Sequence, residues 1–106
     1  MTKEELKKLV IKKLQIDFDE FSEELMKMEK YEIIEMSYEI YIKRRIINAF
    51  ENCEFSKIQY EAAMEISFDL NFVYGKWLTY TGRTVKGCIK ELLKEEVKEL
   101  KLMREE

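Results

Sequence analysis

The chain has 106 residues, 46% of them hydrophobic and 39% charged, with 19 basic and 22 acidic side chains and a formal net charge of −3. That is enough for one domain around one core, and the near-balance of charge argues against both a non-specific nucleic-acid binder and an acidic imitation of DNA. Proline is absent and glycine occurs three times, which favours long helices with short connections.

No apolar run is long enough for a transmembrane span, and the start, Met1-Thr2-Lys3-Glu4-Glu5, lacks the apolar stretch of a signal peptide. A cytoplasmic setting without membrane contact is expected. The two cysteines, Cys53 and Cys88, stand alone and far apart, so free thiols are expected rather than a disulfide.

Thr2 has the spacing of a capping box with Glu5 and opens the first helix. Leu6, Val10, Leu14, Phe18, Phe21, Leu25 and Met28 follow in steps of three or four, which predicts one apolar stripe on a helix from Lys3 to about Met28. At 1.5 Å per residue it is about 39 Å long. Its lysines come first and its acids later, an order that opposes the helix dipole, so packing must hold the first turns.

A second helix is predicted from about Tyr31 to Asn52. Its apolar residues surround so much of the circumference that it reads as the central element, packed on both flanks. Ser56, with Gln59 three residues on, caps a third helix whose inner stripe is Ile58, Ala62, Ala63, Ile66 and Leu70. A short aromatic segment, Phe72 to Tyr80, follows, with Trp77 and Leu78 as anchors and Gly75 as a weak point. Thr84 caps the last helix, which turns Cys88, Ile89, Leu92, Leu93, Val97 and Leu100 inward. The expected architecture is an all-α compact bundle of about five helices over residues 1–106, two long outer helices embracing shorter central ones.

The chain contains no histidine, which removes the commonest general base and metal ligand and every Ser-His or Cys-His nucleophile. It has no Cys-x-x-Cys pair and no glycine-rich phosphate loop. Glu91, Glu95 and Glu99 share a helix face, but Lys94 and Lys98 lie three residues on and neutralise them. No enzyme activity, metal or cofactor is expected.

Three features remain as contact surfaces. Lys86, Lys90, Lys94, Lys98 and Lys101 form a basic stripe along the final helix, the face a nucleic-acid-binding regulator would use. Lys43, Arg44 and Arg45 are three consecutive cations within the most apolar helix: one of them snorkels or pairs with an acid, or together they mark a positive patch. Tyr74, Trp77 and Tyr80 crowd one short segment, and such side chains dominate interface hot spots. Leu100, Leu102 and Met103 continue the last helix with apolar surface that would suit a homodimer or larger homo-oligomer.

Ile34-Glu35-Met36-Ser37-Tyr38-Glu39, then Lys43 with Ile46-Ile47, Ser56 with Ala62-Ala63, and Tyr74-Gly75-Lys76-Trp77-Leu78 resemble a helical family that carries a domain-of-unknown-function label. Its members are about this length and come from Gram-positive anaerobes and their phages or mobile elements. Ser37 replaces a commoner alanine and Arg45 a commoner acid. The resemblance implies an all-α fold and a phage-linked setting. The expected function is a non-enzymatic module that binds and modulates a host protein, such as an anti-CRISPR inhibitor of a defence nuclease.

Overall fold

The computed structural model describes residues 1–105. Six helices follow one another: α1 (Lys3–Met26), α2 (Lys30–Glu35), α3 (Ser37–Asn52), α4 (Lys57–Ala63), α5 (Leu70–Thr79) and α6 (Val85–Glu105), with no strand among the described residues. The architecture is all-α. The long helices α1 and α6 pack on the shorter α3, α4 and α5 from two sides, and α2 rests on α3.

α1 starts as its sequence demands. Thr2 Oγ1 accepts from the Glu5 N–H at 3.1 Å and Glu5 returns the bond to the Thr2 N–H, satisfying two donors that the first turn leaves open. Lys3 and Lys7 reach Glu54, which ties the lysine-rich end against its unfavourable dipole. The stripe Leu6, Val10, Leu14, Phe18 and Leu25 is buried.

The single helix expected from Tyr31 to Asn52 is divided at Met36, so the bundle has six helices rather than about five. Met36 sits at φ −86°, ψ 0°, and its N–H reaches the carbonyls of Glu32, Ile33 and Ile34, a tightened turn that separates α2 from α3. α3 is flanked by α1, α5 and α6, as a central element should be, but its outward side chains stay uncovered. α2 buries no side chain, and α3 buries one face only: Ile42, Lys43, Ile46, Ile47 and Phe50.

The third expected stripe is cut short as well. α4 ends at Ala63, where Lys13 Nζ donates to the carbonyls of Ala63 and Glu65 at 2.6 and 2.7 Å and takes up acceptors that a helix end leaves open. Burial holds the Lys13 ammonium below the usual lysine range. Beyond that stop Ile66 is 94% exposed, and Leu70 opens the next helix. There Asp69 caps α5 through Phe72 N–H, and Asp17 of α1 accepts from Leu70 N–H. The anchors of α5 are Leu70 and Val73; Trp77 is half-buried and Leu78 faces solvent.

One core runs through the molecule, drawing Val10 and Leu14 from α1, Ile46 and Phe50 from α3, Tyr60 and Ala63 from α4, Val73 from α5, and Ile89 and Leu93 from α6. Phe50, Phe55, Phe68 and Tyr60 pack at its centre, with neighbouring ring centroids 5.4 to 6.2 Å apart. Both cysteines are free, and burial pushes the Cys88 thiol up, away from reactivity.

Candidate interaction face

Consecutive helical residues leave the axis about 100° apart, and this separates the three cations of α3. Lys43 turns inward and is 2% exposed. Its Nζ lies 2.7 Å from Glu39 Oε2, 2.7 Å from Asn71 Oδ1 and 3.7 Å from the centroid of Phe21. Arg44 lies over the ring of Phe18 on α1. Arg45 is exposed, 5.9 Å from the centroid of Tyr41. The three form no common patch, because burying one of them in an acid–amide–aromatic cage takes it out of the surface.

The outward face of α3 gathers something else. Tyr38, Tyr41 and Arg45 follow at steps of three and four, and the two tyrosines are 53% and 57% exposed. Tyr31 and Ile34 on α2, both exposed, continue this register towards the N-terminus. Helix α5 packs beside α3 and brings Trp77, whose Nε1–H donates to Tyr38 Oη at 2.8 Å. Tyr80 stands next to Trp77, centroids 6.2 Å apart and planes tilted by 36°. The result is an aromatic face built from two helices and joined by a side-chain hydrogen bond.

Two glycines shape its far edge. The Tyr80 ring lies so close to Gly82 that a Cβ there would overlap it, and a Cβ on Gly87 would come within 2.9 Å of the hydroxyl. Tyr80 is therefore seated in a slot that side chains at 82 and 87 would fill. Tyr74 is placed differently. It is half-buried with its ring 5.6 Å from Lys43 Nζ, and its phenol is raised by burial and then by the charges of Glu39 and Tyr38. Like Trp77 and Tyr80 it is half-buried, but its ring turns towards the caged Lys43.

Of the residues singled out from sequence, Trp77, Tyr80 and Arg45 come to or beside this face, Lys43 is buried with the Tyr74 ring next to it, and Arg44 lies over Phe18. Tyr38 and Tyr41 fall within the helix that the sequence predicts from about Tyr31 to Asn52, among the apolar residues that surround its circumference. Tyr38 and Tyr41 stay exposed although α3 is flanked by α1, α5 and α6, because the α5 side covers Tyr38 only through the Trp77 indole.

The five lysines of α6 are all exposed, and their steps of four and three set them along one side of the helix. Lys86 borders a hollow of about 310 Å³ with Arg45, Asn48 and Thr84. Lys94, Lys98 and Lys101 line a groove of about 500 Å³ between α4 and α6. Glu91, Glu95 and Glu99 are exposed, and no group of acids and thiols suited to a metal ion occurs among the described residues. No described helix is long and apolar enough to cross a membrane. Comparison with known protein families, with curated proteins and with solved structures finds no match to this chain.

Proposed function

We propose that this chain is a non-enzymatic protein-binding module, and that the face of Tyr38, Tyr41, Trp77 and Tyr80 is its main contact surface. The observation that carries the reading is the exposure of Tyr38 and Tyr41 on α3, with the half-buried Trp77 of α5 tied to Tyr38 by a hydrogen bond. Tyrosine and tryptophan give large contact area with few rotors to freeze, and an indole held in place loses little further entropy on binding. Arg45 over Tyr41 adds a guanidinium at the rim. With the phage or mobile-element setting that the resemblance implies, the sharpest form of the reading is inhibition of a host defence nuclease.

The test is capture from host lysate with the intact chain and with the double variant Ile34→Glu, Tyr41→Glu. Both positions are exposed, so the variant keeps its fold and its melting temperature. One stoichiometric protein held by the intact chain, surviving nuclease treatment and lost with the variant, is the expected result. Equal recovery by both chains removes the aromatic face from the reading. Recovery that disappears with nuclease instead identifies nucleic acid as the ligand.

A further inference from the structure

We propose that the groove between α4 and α6 is a second docking site, and that its occupant is an acidic amphipathic helix of a partner protein. The groove is independent of the aromatic face. Its apolar floor is Ile58 of α4 and Val97 of α6, both half-buried. The α4 rim, Ser56 and Gln59, is uncharged: the Ser56 hydroxyl accepts from Gln59 N–H and the Gln59 amide oxygen accepts from Ser56 N–H, which leaves the Gln59 amide N–H groups as donors. Recognition of charge therefore falls to the opposite rim.

That rim is Lys94, Lys98 and Lys101, spaced by four and three on one flank of α6. Among the described residues Lys98 and Lys101 pair with no carboxylate, and Lys94 has only an exposed contact to Glu91 at 3.6 Å. Glu61, the nearby acid of α4, is taken by Arg104 at 2.6 Å, which also pins the end of α6 to α4. The groove thus offers three exposed cations above an apolar strip, two of them without a carboxylate partner among the described residues and the third in a long contact with Glu91. They span about 10 Å along the axis, the length over which a second helix repeats an acid at steps of three and four. A helix with leucine or valine on one side and glutamates flanking it matches both features.

A nucleic-acid strand matches only one of them. Phosphates would suit the lysines, but the floor has no aromatic ring on which a base could stack, and Ile58 and Val97 would gain nothing.

Fluorescence anisotropy with the full chain tests the assignment. The probes are a labelled peptide of about 15 residues with a leucine stripe flanked by glutamates, the same peptide with lysines for glutamates, and a single-stranded oligothymidine. The acidic peptide is expected to bind in preference to both others. Its affinity should fall at least about tenfold between about 50 and about 500 mM salt. The exposed triple variant Lys94→Glu, Lys98→Glu, Lys101→Glu, with its melting temperature retained, should lose binding by at least about tenfold, while Ile34→Glu, Tyr41→Glu should not. No binding of the acidic peptide, equal binding of the basic one, a triple variant that binds as before, or preference for oligothymidine would each overturn the proposal.

Discussion

Lys43 shows how much a single side chain can rearrange a surface. An ammonium taken out of water costs several kcal/mol unless its partners are close, and here a carboxylate, an amide oxygen and a ring face surround it. These partners come from α1, α3 and α5, so the cage also fixes how the three helices meet. Removing the acid leaves the cation buried with neutral partners. Glu39→Gln should therefore destabilise the protein by about 2 kcal/mol, reduced from a fully buried case because Glu39 itself reaches solvent. Urea denaturation measures it, and an unchanged midpoint would mean the cage contributes no net stability. Lys13 acts in a related way, its ammonium closing the end of α4.

Among the elements, α5 carries the most demands in the fewest residues. It needs Asp69 as a cap, Leu70 and Val73 as anchors, and Trp77 and Tyr80 placed for the face. Gly75 lies in the middle of it, and a Cβ there meets nothing within 4 Å. Gly75→Ala should then stabilise the protein by about 0.5–1 kcal/mol through backbone entropy alone, read as a raised melting temperature. A loss of stability would show that the glycine serves a contact in another state of the protein. Helices α1 and α6 contrast with it: their stripes are long and regular, and each was legible from its spacing. α4 was not, because its end is set by a lysine some 50 positions earlier in the chain.

At the scale of the molecule, one core joins α1, α3, α4, α5 and α6, and α2 contributes no buried residue to it. Stability is therefore unevenly distributed. In native-state hydrogen exchange the amides of residues 30–35 should open at far lower free energy than those of Ile46 or Ile89, without global unfolding. Protection of α2 equal to that of the core would contradict this. A weakly held α2 matters for the proposed function, since Tyr31 and Ile34 extend the aromatic face and would gain order when a partner covers them.

The amino-acid sequence by itself determined the all-α class, the caps at Thr2, Ser56 and Thr84, and the inward stripes of the two long helices. These depend on local spacing and local hydrogen bonds, which a linear chain already contains. The tertiary structure alone decided which of several apolar sides of α3 meets a neighbour, where α4 stops, and which of three adjacent cations is caged. Each of these depends on groups far away in the chain: α5 beside α3, Lys13 against Ala63, Asn71 and Phe21 around Lys43. Tyr38 and Trp77 are 39 positions apart and become one surface only because α3 and α5 pack side by side.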